Sequence, residues 1–92
     1  MTAVVKDNPS EERFEVHDGD QLAGSLYYEQ RGEALALIHT EIDPAFGGRG
    51  LGSVLVRRTL EQLRERGVKI VPLCPFVKSW MEKHPEYDDL KA

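Results

Sequence analysis

The sequence is poor in the features that announce most functional classes. Cysteine occurs once, as Cys74, so no internal disulfide can form and a metal site built on paired cysteines is excluded. The three histidines, His17, His39 and His84, are too scattered to suggest a zinc centre by themselves, and no metal is expected. Apolar runs are only a few residues long, far short of a membrane span. The start, MTAVVKDNPSEE, has neither the cationic beginning nor the apolar stretch of a signal peptide, so the expectation is a soluble, cytoplasmic protein. Blocks of one charge are missing as well. Acidic and basic residues mix along the chain to a net charge of −4, which offers nucleic acid no basic surface. With no repeat and no low-complexity run in its 92 residues, the chain is expected to be one domain over 1–92. So short a chain buries roughly two thirds of its unfolded surface. That leaves little for an elaborate pocket, and both a monomer and a homodimer fit.

What is present is a change of period. After a polar lead-in through DNPSEE, RFEVH (Arg13 to His17) alternates and is closed by DGD, a signal for a tight antiparallel turn. QLAGSLYYEQ reads as a second strand, in which Tyr27 and Tyr28 face opposite ways and one of them belongs to the core. After the Arg31-Gly32 turn, EALALIHTEI reads as a third, apolar on both faces and therefore central. From Leu51 the apolar period becomes about 3.6 residues. Leu51, Val54, Leu55, Leu60 and Leu63 share one side of a helix, with Arg57, Arg58, Glu61, Arg64 and Glu65 on the other, and Gly67 is placed to cap it. VKIVPLC reads as a buried strand reached by a crossover, hence parallel to the third. PFVKSWMEKH is a second helix with Pro75 at its first position and Pro85 stopping it; Phe76 and Trp80, four apart, pack together. The fold class is α/β (α+β): an antiparallel three-stranded meander, a helix, a parallel strand and a C-terminal helix.

Between the third strand and the first helix, AFGGRGLGS puts four glycines into the six positions from Gly47 to Gly52. A strand, a glycine-rich turn and a helix together let main-chain N–H groups meet a phosphate at the positive end of the helix dipole. A P-loop is excluded, because Gly50 is followed by Leu51 where Gly-Lys-Ser/Thr is required. A dinucleotide fingerprint fits poorly: the spacing is Gly48-x-Gly50-x-Gly52, the preceding strands read as antiparallel, and the next strand ends in PLCPF without an acidic residue.

GGRGLGSVLV resembles the acyl-CoA pyrophosphate loop of the GNAT superfamily of N-acetyltransferases, Gln/Arg-x-x-Gly-x-Gly/Ala followed by an apolar helix. Gly50 and Gly52 match the two small positions. Gly47 stands where the pattern has Gln or Arg, which leaves backbone donors and Arg49 to carry the charge. HTEI, IVPLCPFV and HPEYDDL extend the resemblance, over about Leu22 to Leu90, to small GNAT-type proteins in which this core is the whole protein.

The resemblance implies a minimal GNAT fold, with acetyl-CoA as cosubstrate and an amine as acceptor. The pyrophosphate would lie on the backbone of Gly47, Gly48, Arg49, Gly50, Leu51, Gly52 and Ser53. The pantetheine would pass Thr40, Glu41 and Ile42 at the end of the third strand, and Cys74 and Phe76 where the last helix begins. Those backbone N–H groups could polarise the thioester. His39 is the candidate general base, the alternative being a hydrogen-bonded core histidine, and Glu41 on its face could orient it. Cys74, at a helix N-cap, is expected to line the acetyl site facing His39, as a small apolar plug or as a nucleophile. The tyrosine that GNAT enzymes often use as acid has no match on the last helix, and Tyr87 is a weak substitute. Many GNAT domains carry two helices between their first two strands that wall the acceptor site. The DGD turn has no space for them, so an open site suited to an exposed lysine or a protein N-terminus is expected. A module that binds CoA or acyl-CoA as a sensor, without chemistry, is the other reading.

Overall fold

The computed structural model describes residues 3–92. The strands are β1 (Ala3–Asn8), β2 (Arg13–Asp18), β3 (Gln21–Arg31), β4 (Ala34–Ile42) and β5 (Ile70–Pro72). The helices are α1 (Leu51–Arg66) and α2 (Pro75–Glu82), and short 3-10 turns occupy Pro9–Glu11, Pro44–Phe46 and Pro85–Leu90. The sheet order is β1-β2-β3-β4-β5, antiparallel up to β4, with β5 parallel to β4. The meander expected from the sequence is therefore preceded by a further strand, β1, drawn from what reads as a polar lead-in. It is an edge strand whose Val5 alone is buried while Val4 stays exposed, so it leaves little apolar pattern in the sequence.

Both helices cover one face of the sheet. In α1, Leu51, Leu55, Val56, Leu60 and Leu63 are buried at helical spacing against Phe14, Val16, Leu26 and Leu37 of the strands. Each fully buried leucine contributes roughly 1.5–3 kcal/mol of transfer free energy. The helix ends where Gly67 turns left-handed and its N–H reaches the Arg64 carbonyl. At the far side of this core, the Tyr28 hydroxyl donates to Asp7 at 2.6 Å and Arg66 meets the same carboxylate at 2.9 Å, tying β3, β1 and α1 together. Burial, and then that bond to Asp7, raises the Tyr28 pKa above its ordinary range.

A bulge in β4 decides which side chains share a face. Tyr28 lies opposite Leu37 but Tyr27 lies opposite His39, so β4 carries one extra residue at Ile38. Before it, Leu35 and Leu37 point under the helices; after it the phase reverses, and Thr40 and Ile42 take the helix side. His39 and Glu41 therefore stand on the open face, where His39 stacks on Tyr27 with ring centres 6.1 Å apart. Gly24 allows β3 to approach the end of β4: a Cβ there would lie 2.6 Å from the Glu41 carbonyl oxygen.

Candidate functional site

Within β4, β5 reaches no further than Leu35–Leu37. The last link is the Leu37 carbonyl, which accepts from both Leu73 N at 3.0 Å and Cys74 N at 2.8 Å. Beyond it, α2 turns away and, among the described residues, the second half of β4 has no strand on that side. Since Asp43 N donates back to Ala23 O of β3, alternation turns the main-chain groups of Thr40 and Ile42 toward this open edge.

The open edge leads into a groove of about 360 Å³ between the end of β4 and the start of α1. Thr40 and Ile42 form one wall, Phe46 and Phe76 the apolar sides, and Gly47, Gly48, Gly50, Leu51, Gly52 and Ser53 the end at the helix. Gly50, in the left-handed region at φ +73°, is the N-cap residue and provides no side-chain cap. The N–H groups of the first turn of α1 thus have neither an intrahelical partner nor a capping oxygen, and no acidic residue stands in that turn. Such donors suit an anion, and the structure carries the geometry for one. At Gly52 a Cβ would lie 2.9 Å from the Phe76 ring, so its bareness seats Phe76 beside the groove.

Arg49, Glu41, Cys74 and His39, which the sequence assigns to this site, do not line the groove. Arg49 turns aside to Asp18, Nη1 to Oδ2 2.9 Å, and its guanidinium lies 5.2 Å over the Phe46 ring. Glu41 is on the open face. Cys74 is 3% exposed and sits behind the groove wall, its Sγ 3.3 Å from Thr40 Oγ1. The expected juxtaposition of His39 and Cys74 does not form, because the bulge turns His39 to the open face and brings Thr40 to the side of Cys74. His39 is not a core histidine either; its side chain is 58% exposed and its Nε2 lies 3.2 Å from Glu41 Oε1. Tyr87 is not among the residues that line the groove. It is buried against the third turn of α1, where its hydroxyl donates to Glu61 at 3.3 Å, and burial, then Glu61, raises its pKa. Trp80 donates from Nε1 to Ser53 Oγ at 2.8 Å and so packs against the loop end of α1, while Phe76 is half-exposed.

On the open face a second cleft, of about 510 Å³, has Gly24, Ser25 and Tyr27 on one side and Glu41, Ile42 and Asp43 on the other. Ile42 lines both cavities, so the end of β4 is the partition between them. Arg13 closes the cleft, donating from Nη1 to the Tyr27 hydroxyl at 3.2 Å and from Nε to Glu15 at 2.7 Å. Glu15 also accepts from Asn8 Nδ2 and His17 Nε2, each at 2.9 Å. Its burial works against ionisation, but the bonds from His17, Asn8 and Arg13 prevail and hold its pKa at about 2. The bond to Glu15, and then the one to Tyr27, raises that of Arg13. Sequence reasoning missed this network; the only signal was the alternation of Arg13, Glu15 and His17 on one strand face.

The sequence profile of the GCN5-related N-acetyltransferases matches residues 13–90. The chain belongs to that family. The groove, the open edge of β4 and the glycine turn all fall within the matched segment. Among solved structures, the chain resembles the NMR solution structure of a GCN5-like protein from Staphylococcus aureus, with 26% identity and a TM-score of 0.71. The likeness covers 97% of this chain and 87% of that one, in keeping with a small GNAT fold. No curated protein matches.

Proposed function

We propose that the protein is an acetyl-CoA-dependent N-acetyltransferase whose cosubstrate lies in the groove and whose amine acceptor enters through the cleft on the open face. The observation that carries this reading is the uncapped, glycine-bounded start of α1 at the end of a groove whose wall is the unpaired edge of β4. The free N–H groups of Leu51, Gly52 and Ser53 would take the pyrophosphate. The Thr40 and Ile42 main chain would bond the pantetheine amides, as a neighbouring strand does elsewhere in the sheet. Phe46 and Phe76 would exclude water along the apolar stretch.

Acetyl-CoA brings an activated thioester: as the acceptor nitrogen bonds to the carbonyl carbon, the carbon–sulfur bond breaks, CoA leaves as thiolate, and the amine gives up a proton. His39 stands on the acceptor side of the partition and would receive that proton, with Glu41 orienting its ring. The open edge of β4 supplies N–H groups to the carbonyl oxygen as negative charge develops there. Cys74 supports Thr40 and lines the wall from behind; direct transfer to the amine needs no Cys–His pair.

The acceptor side is walled by the sheet and by Asp43 and Pro44 just after β4. β1 and β2 are joined by the short turn at Pro9–Glu11, and β2 and β3 by the tight turn at Gly19 and Asp20, so among the described residues no helix overhangs the cleft. An open cleft edged by Glu41, Asp43 and Tyr27 suits a cationic amine carried on a larger body, such as an exposed lysine or a protein N-terminus. The test is CoA thiol release from acetyl-CoA with a panel of small amines, lysine peptides and N-terminal peptides. Release above the hydrolysis background with any of them supports the enzyme. Tight CoA binding with no release across the panel supports the sensor instead.

A further inference from the structure

Six arginines, Arg13, Arg31, Arg49, Arg58, Arg64 and Arg66, pair with a carboxylate at 2.6 to 3.6 Å. Arg57, the seventh, has no ion-pair partner among the described residues, although acidic residues outnumber basic ones 16 to 12. The acid one turn along its own face, Glu61, is engaged elsewhere: Oε1 meets Arg58 at 3.2 Å and Oε2 receives the Tyr87 hydroxyl at 3.3 Å. Yet Arg57 is held in place. Its guanidinium lies 5.7 Å over the Trp80 ring, and that ring is fixed by the bond to Ser53 and by stacking on His84 at 3.9 Å. Arg57 and Arg58 line a notch of about 230 Å³ together with Gly50, Ser53 and Val54. Gly50 and Ser53 also line the groove, so the notch continues it around the side of α1.

We propose that this notch binds the 3′-phosphate on the ribose of CoA, so that Arg57 makes the protein prefer CoA over 3′-dephospho-CoA, with Arg58 in support. The proposal rests on the reading that the pyrophosphate lies at the start of α1. A phosphomonoester carries close to two negative charges near neutral pH and offers several acceptor oxygens. A guanidinium answers it with a planar fork of donors. Arg57 has that fork free of any carboxylate, and stacking on Trp80 has already limited its rotamers, so less order is lost on binding. Arg57 is seven residues after Gly50, about 10 Å along the helix at 1.5 Å per residue, and its side chain leans back toward the helix start. The pyrophosphate and the ribose phosphate are separate anions on one ligand, and the main-chain N–H groups of the loop and the Arg57 guanidinium are separate donors.

The experiment is calorimetric titration of CoA and of 3′-dephospho-CoA into the wild-type protein and into Arg57→Gln and Arg57→Lys, in low-salt buffer. The wild type is expected to bind CoA about five- to tenfold more tightly than the dephospho form, the scale of one well-placed but exposed charge pair. Arg57→Gln should lose that preference by weakening CoA alone; its unchanged affinity for 3′-dephospho-CoA reports an intact fold and groove. Arg57→Lys should keep part of the preference, and added salt should erode it. Equal wild-type affinities overturn the proposal while leaving the groove reading in place. So does Arg57→Gln weakening both ligands alike, which would make Arg57 a prop for Trp80. A wild type that binds neither ligand overturns the groove reading and the proposal together.

Discussion

Replacing Glu15 by glutamine tests whether the open face is organised by a buried charge. Glu15 is 8% exposed and accepts from Asn8, Arg13 and His17. In the folded chain its pKa is about 2, against the ordinary 4.5. One pKa unit corresponds to about 1.4 kcal/mol, so this difference amounts to on the order of 3 kcal/mol of stability at neutral pH. A depressed carboxylate contributes fully above its unfolded value and is lost as pH falls toward its folded one, so the window runs from 4.5 down to about 2. Somewhat more than half of the contribution is lost by about pH 3 on this linkage relation. Glu15→Gln turns an amide N–H₂ toward donors and should cost roughly 2–3 kcal/mol at pH 7. Urea unfolding followed by the fluorescence of Trp80, the only tryptophan, measures both proteins. The stability difference should narrow steadily as the pH falls from 5 to about 3, because protonation makes the wild type resemble the variant. A difference of the same size at every pH would refute the reasoning, and so would a variant as stable as wild type at pH 7.

His39→Ala should leave acetyl-CoA affinity nearly unchanged and lower turnover by roughly a hundredfold. An undiminished rate with a working acceptor would make the residue structural. Cys74→Ser should retain most activity, and intact-mass analysis of the protein quenched in acid after acetyl-CoA should show no acetyl adduct. An adduct that disappears in Cys74→Ala would instead establish a covalent relay.

Most of the fold was legible because its period is regular. The shift from alternation to helical spacing at Leu51, the glycine at the end of α1 and Pro75 at the start of α2 each locate an element by local chemistry. β1 was not legible, since only Val5 of its six residues is buried and its pairing with β2 lies beyond any local pattern. The larger loss came from Ile38. Strict alternation through EALALIHTEI puts His39 on the side of Leu35 and Leu37, under the helices and near Cys74. One inserted residue reverses that phase, and nothing in the side-chain sequence marks a bulge. The bare, uncapped turn before α1 was legible because backbone geometry depends on the absence of side chains, which the sequence states outright. The Glu15 network and the solitary Arg57 were not, because each is defined by partners brought in from other elements.

The account stands on CoA meeting the main chain at the start of α1. Titrating CoA into ¹⁵N-labelled protein and following the amide resonances tests this most directly. The largest shifts should fall on Gly48 to Ser53 and on Thr40 and Ile42. They should vanish in Gly50→Glu, where a side chain and a negative charge would occupy the place of the pyrophosphate. Shifts confined to other parts of the molecule, or an unaltered CoA affinity in folded Gly50→Glu, would contradict it.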